Sequence, residues 1–116
     1  WSELLDSRDL DKLPMNTNAI LLGTAFQDFS IIKQKELKEK IIKIIDNVGL
    51  YVMHPREVNW LEDSKVVKLH SPAEAVLEHM QSATDKELVV YHIDTTVSYS
   101  LKSNENIKFI DLLIQD

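Results

Sequence analysis

Apolar residues along this chain come in two patterns taken in turn: short continuous runs, and runs spaced three or four residues apart. The first continuous run, Asn18-Ala19-Ile20-Leu21-Leu22-Gly23-Thr24-Ala25, ends in small residues and fits a strand buried on both faces. Over residues 30–47 the apolar positions Ile31, Ile32, Leu37, Ile41, Ile42, Ile44 and Ile45 mostly recur at helical spacing between lysines and glutamates, which predicts an amphipathic helix. Asn47-Val48-Gly49 supplies its stop. Leu50-Tyr51-Val52-Met53 then leads into a second strand, expected to end on His54: a residue before proline is pushed into extended geometry, and Pro55 turns the chain away.

A polar loop containing Trp60 separates this strand from a third, Val66-Val67-Lys68-Leu69. A helix should open at Ser71, with the serine as cap, Pro72 at the first helical position and Glu74 at the third, ahead of apolar Val76, Leu77 and Met80. Residues 87–93 read as a fourth strand, 95–102 as a short helix and 107–114 as a fifth strand. Strands and helices alternating at these lengths predict an α/β fold, a Rossmann-like doubly wound parallel sheet of about five strands with right-handed crossovers. Residues 1–17 are polar and mixed and read as a linker or short helix, leaving residues 18–116 as the domain.

Charge and composition narrow the function. A net charge of -6 argues against a general polyanion-binding surface, so nucleic acid is not an expected partner. No apolar run approaches the ~20 residues needed to cross a bilayer. The absence of cysteine excludes disulfides and thiolate metal sites. The chain begins at Trp1 without a signal-like segment and reads as a domain excised from a longer protein.

In a doubly wound sheet ligands bind at the carboxyl ends of the strands. Three candidate segments fall there: residues 24–28, residues 54–57, and Asp94-Thr95-Thr96. The hydroxyls and backbone N–H groups at Thr95 and Thr96 could receive a phosphate at a helix start, or Asp94 or Thr95 could simply cap that helix. Glu74 could bond a ligand's amino group or reach back to Ser71 in a capping box. His54 could donate to a phosphate oxygen or act as a general acid, or it could be hydrogen-bonded within its loop. His70, His79 and His92 have no metal-ligand spacing, and Asp9-Leu10-Asp11 reads as a solvated acidic pair. Two glycines, Gly23 and Gly49, cannot form a dinucleotide or triphosphate fingerprint.

The segments Tyr51-Val52-Met53-His54-Pro55-Arg56-Glu57, Pro72-Ala73-Glu74 and Thr95-Thr96 together resemble the bacterial sialyltransferases of glycosyltransferase family 52, which make lipooligosaccharide-type surface sugars. Order and spacing both match: Glu74 follows His54 by twenty residues and Thr96 follows it by forty-two. The resemblance spans roughly residues 17–116. It implies the carboxyl-terminal, donor-nucleotide half of a two-domain glycosyltransferase, with the acceptor half outside these residues.

By that resemblance His54 is the His-Pro histidine that contacts the donor phosphate and helps the nucleotide leave, and Arg56 is a phosphate or carboxylate partner. Glu74 matches the acidic residue that recognises cytidine, and Thr95 and Thr96 match a hydroxyl pair, usually serines, that holds the phosphate of CMP. The family's base lies in an acidic-acidic-glycine motif after the first strand, where this chain has Gln27-Asp28-Phe29, so Asp28 is the candidate base although its neighbours depart from the pattern. The implied reaction is inverting transfer of sialic acid from CMP-sialic acid to a sugar hydroxyl, with no cofactor and no metal. The implied partners are CMP-sialic acid or CMP and a glycan acceptor in the full protein; a homodimer is compatible with the sequence, which leaves the oligomeric state open. The implied location is the cytoplasm, peripheral to the inner membrane in the full protein. These residues alone should be inactive in transfer. The competing expectations are a non-catalytic doubly wound regulatory or protein-interaction domain, and a related glycosyltransferase using another nucleotide sugar.

Overall fold

Each continuous apolar run becomes a strand of one sheet. The computed structural model describes residues 2–14, 16–95, 97–101 and 104–114. Its strands are β1 (Ala19–Leu22), β2 (Leu50–Val52), β3 (Val66–Val67), β4 (Leu88–His92) and β5 (Ile107–Asp111), and its α-helices are α1 (Ile31–Ile44), α2 (Ala73–Ser82) and α3 (Val97–Ser100). The strand order is β3-β2-β1-β4-β5 and every neighbouring pair is parallel. The chain thus winds outward from β1 in one direction through β2 and β3, then crosses back to β4 and β5. This is the doubly wound α/β arrangement, and its switch point lies between β1 and β4.

Side chains alternate across the strands and divide the core in two. Leu21 and Tyr51 face α1, Phe26 and Trp60, whereas Ile20, Leu22, Leu50, Val52, Leu88 and Val90 face α2 and α3. Helix α1 starts where the Ser30 side chain accepts the Lys33 N–H at 3.2 Å. It is held to the sheet by Leu37 and Ile41, both without exposed surface, each contributing about 1.5–3 kcal/mol by burial.

The strands are shorter than the apolar runs suggest, for local reasons. β2 stops at Val52, two residues before His54, because the turn at Pro55 engages the His54 carbonyl and takes its backbone out of the sheet. β5 stops at Asp111, whose carboxylate accepts the N–H groups of Asp94 and Leu113 and bends the chain. Helix α1 ends in a 3-10 turn, Ile45–Asn47, rather than on a left-handed glycine. Gly49 has no positive φ; it is small because a Cβ there would overlap Thr17 Oγ1.

The amino-terminal segment forms two 3-10 helices, Ser2–Leu4 and Ser7–Lys12, and packs Leu5 and Leu13 onto the α2 side of the core. Here the expected solvated acidic pair is split: Asp11 is exposed, but Asp9 is fully buried. Its carboxylate accepts the His70 N–H at 3.0 Å, the Ser71 N–H at 2.7 Å and the Ser71 hydroxyl at 2.5 Å. A buried carboxylate requires such donors, and the loop between β3 and α2 supplies three together. Ser71 is therefore engaged by Asp9 and by the Asp6 N–H, and is not a helix cap. Pro72 takes the cap position without a side-chain bond, which removes the expected capping box and leaves Glu74 in the first turn without that role.

Burial pushes the Asp9 carboxyl up, but the bonds from Ser71 and His70 outweigh it and hold the group below the usual carboxylate range. A carboxylate whose folded-state pKa is depressed stabilises the fold fully above its unfolded value, about 3.9, and loses that contribution as pH falls through the lower folded value. Asp9→Ala should lower stability by about 2–4 kcal/mol in urea unfolding at neutral pH. The gap from wild type should narrow below about pH 4; a gap that persists unchanged in acid would contradict this account of Asp9.

Candidate functional site

The tetrapeptide His54-Pro55-Arg56-Glu57 is a β-turn. The Glu57 N–H donates to the His54 carbonyl at 2.9 Å, with Pro55 at the second position, where its fixed φ favours turns. Two further bonds close the turn on itself. The Arg56 N–H donates to His54 Nδ1 at 3.0 Å, and the His54 N–H donates to Glu57 Oε1 at 3.0 Å. An Nδ1 that accepts a hydrogen bond leaves the proton of the neutral ring on Nε2. The half-buried imidazole thus offers an N–H donor just beyond the carboxyl end of β2.

Glu57 lies underneath and is only 3 % exposed. The Tyr51 hydroxyl donates to its Oε2, and the Trp60 indole N–H donates to the same oxygen at 3.0 Å. Burial, then the Glu57 charge and hydrogen bond, push the Tyr51 phenol far above its ordinary pKa. Trp60 also packs edge-on against Phe26 and Tyr51, with ring centroids 5.6 and 6.4 Å away. The Lys38 ammonium lies 5.1 and 5.2 Å from the Phe26 and Trp60 rings, tying this cluster to α1. Gly23, at the end of β1, completes the enclosure: a Cβ there would overlap Glu57 Oε1 and come within 2.9 Å of Tyr51 Cε1.

The turn is joined to the loop after β1. Arg56 pairs with Asp28 at 2.5 Å, and the Gln27 side-chain amide donates to the Arg56 carbonyl at 2.9 Å. Both ion-pair partners are more than half exposed, so the pair contributes at most about 1 kcal/mol and chiefly sets geometry. Asp28, Arg56, His54 and Glu57 therefore form one connected group.

A second group lies at the ends of β4 and β5. Asp94 adopts a left-handed conformation at φ 44°, tolerated by aspartate, and its N–H reaches Asp111 Oδ1 at 3.2 Å. His92 is buried, edge-on to Phe109 at 5.8 Å, and its Nδ1 accepts the Thr95 N–H at 3.4 Å. Burial pushes the imidazole pKa down, against the raising effects of Asp111 and Asp94, which favours the neutral ring. The Thr95 hydroxyl accepts the Val97 N–H at 3.3 Å, a local bond at the start of α3. Thr96 lies outside the described residues.

Topology brings His54, Asp28, Arg56, Glu74 and Thr95 to the carboxyl edge of the sheet, because each follows a strand or opens a helix there. Among the described residues, hydrogen bonds connect only the His54–Asp28 group, and none joins Glu74 or Thr95 to it. No group of three or more potential ligands that could hold a metal ion occurs among the described residues. Sequence patterning did not single out Tyr51, Trp60, His92 or Gly23; the one available signal was a glycine closing an otherwise bulky apolar run. Comparison with protein-family models, curated proteins and solved structures finds no match for this chain.

The contact between positions 23 and 57 can be measured as a thermodynamic cycle. Gly23→Ala should destabilise by about 1–3 kcal/mol through overpacking, and Glu57→Ala by about 2–4 kcal/mol by stranding the buried donors of Tyr51 and Trp60. In the double variant the alanine at 23 should cost much less, since the carboxylate it displaces is gone. Additive costs in urea unfolding would show that the two positions do not compete for the same space.

Proposed function

We propose that this chain is the donor-nucleotide domain of a glycosyltransferase that moves sialic acid from CMP-sialic acid to a glycan hydroxyl with inversion. The observation that carries the reading is the His54 turn: its internal hydrogen bonds present an Nε2 donor at the carboxyl edge of a parallel sheet. Ligands of doubly wound proteins gather at that edge, and a neutral imidazole donor suits a phosphate oxygen that gains charge as the nucleotide departs.

On this reading the acceptor oxygen attacks the anomeric carbon while its proton passes to the Asp28 carboxylate. The bond from that carbon to the CMP phosphate breaks, and the electron pair leaves with CMP. His54, Thr95 and Thr96 donate to the leaving phosphate, and Glu74 accepts from the cytosine amino group. In the unliganded protein Arg56 neutralises Asp28; on the donor complex the same guanidinium turns to the phosphate or the sugar carboxylate and frees the base. The acceptor belongs to another part of the enzyme, so the 116 residues bind nucleotide without turning over.

Isothermal titration with CMP tests the reading. Wild type should bind, and His54→Ala should weaken binding roughly tenfold or more, the worth of one charge-assisted hydrogen bond. Thr95→Val and Thr96→Val should each weaken it less, and CMP should outcompete UMP and UDP. Preference for UDP would redirect the reading to another nucleotide sugar. No binding, or binding indifferent to His54→Ala, would favour a non-catalytic interaction domain.

A further inference from the structure

The outer face of α1 carries an apolar surface that the nucleotide reading does not use. Ile31, Ile32 and Ile42 are 84 %, 75 % and 53 % exposed, whereas Leu37 and Ile41 on the inner face have no exposed surface. Three of the helix's five lysines are directed elsewhere. Lys33 pairs with Glu36 at 3.2 Å, Lys38 lies over the Phe26 and Trp60 rings, and Lys40 donates to the Leu112 carbonyl at 2.8 Å. The solvent side of the helix thus carries these isoleucines with Lys35 and Glu39 between them and Glu36 and Lys43 at its margin, beside a shallow groove of about 420 Å³ that runs from Ile31 to Ile42 along Trp60.

The order of these residues has a centre. Around Leu37 the chain reads Lys35-Glu36-Leu37-Lys38-Glu39, so residues equally far from Leu37 carry opposite charge. Ile32 and Ile42 are likewise equally far from it. Charge that inverts about a point, with apolar residues that repeat about the same point, is what a twofold contact between antiparallel copies of one helix requires, because residue i meets j while j meets i.

We propose that the outer face of α1 is a homodimer interface in which two copies of the helix lie antiparallel about a twofold axis at the level of Leu37. Lys35 of each copy then faces Glu39 of its partner, and Ile32 of each faces the partner's Ile42. The two isoleucine contacts lie about 15 Å apart along the helix at 1.5 Å per residue, one at each end of the central charge pairs. Glu36 and Lys38, turned toward Lys33 and the aromatic rings, bring no like charges together. Helices of 14 residues make a contact at the small end of specific interfaces, so the dimer is expected to dissociate on dilution. The proposal is independent of what the His54 edge binds.

Sedimentation velocity over a rising concentration series is the test, with circular dichroism confirming that each variant is folded. Wild type should move from 13.4 kDa toward twice that mass. Lys35→Glu and Glu39→Lys should each leave monomer by setting like charges across the axis, and the double swap Lys35→Glu/Glu39→Lys should restore the dimer. Ile42→Glu should abolish it while leaving the fold intact, since that side chain is already more than half exposed. A monomer at every concentration, a dimer indifferent to the single charge changes, or a double swap that fails to restore it would overturn the proposal. So would binding of the wild-type monomer to anionic vesicles through the same isoleucines.

Discussion

A single buried negative charge organises the edge of this sheet. Glu57 has almost no contact with solvent, and an isolated carboxylate in that position would be too costly to keep. It persists because a strand tyrosine, a loop indole and the backbone of the turn all aim hydrogens at it. Those donors come from three different places along the chain, so fixing the carboxylate fixes the turn, the loop after it and the end of β2 together. Through Trp60, Phe26 and Lys38 the constraint reaches the middle of α1, and through Arg56 it reaches Asp28. The placement of His54 is therefore a by-product of solvating its neighbour's charge from within.

The five strands and the long helix were legible because a parallel sheet covered on both faces demands uninterrupted apolar runs, and runs such as Ala19–Leu22 and Leu88–His92 have no other use. What patterning could not reveal was which charged residues would be buried. Asp9 and Glu57 look like surface residues in sequence; Asp9 is inside because donors more than sixty positions away converge on it, and Glu57 because the turn folds donors from three to six positions away onto it. The Ser71-Pro72-Ala73-Glu74 cap had the right spacing but lost its serine to Asp9, a competition between residues more than sixty positions apart. The ends of strands were misjudged for a related reason: side chains at Glu57 and Asp111 capture backbone hydrogens that would otherwise continue the ladder. The candidate site was legible as positions on one edge, and its internal wiring, Arg56 to Asp28 and Arg56 N–H to His54, was not.

Asp9 and Glu57 solve the same problem at different points along that edge, with different consequences. Asp9 occupies the donors of the loop between β3 and α2, so that loop already holds an anion belonging to the protein itself. The loops after β1, β2 and β4 are closed differently, by a turn, an exposed ion pair and a left-handed aspartate. The switch point between β1 and β4 thus has His54, after β2, on one side and Thr95, after β4, on the other. Asp94 and Asp111 keep that far side acidic, while on the near side Arg56 is paired with Asp28.

Gly23 and Glu57 also limit how this protein can vary. A larger residue at position 23 needs the volume occupied by the carboxylate, and losing the carboxylate strands the hydrogens that surround it. Neither position can be altered alone without loss, and no single step reaches a version in which both have changed comfortably. The overlap ties the two positions sterically to each other. Drift in a lineage carrying this fold would be channelled away from these two positions, toward exposed ones such as Val58 and Ile114, whose side chains are mostly in solvent.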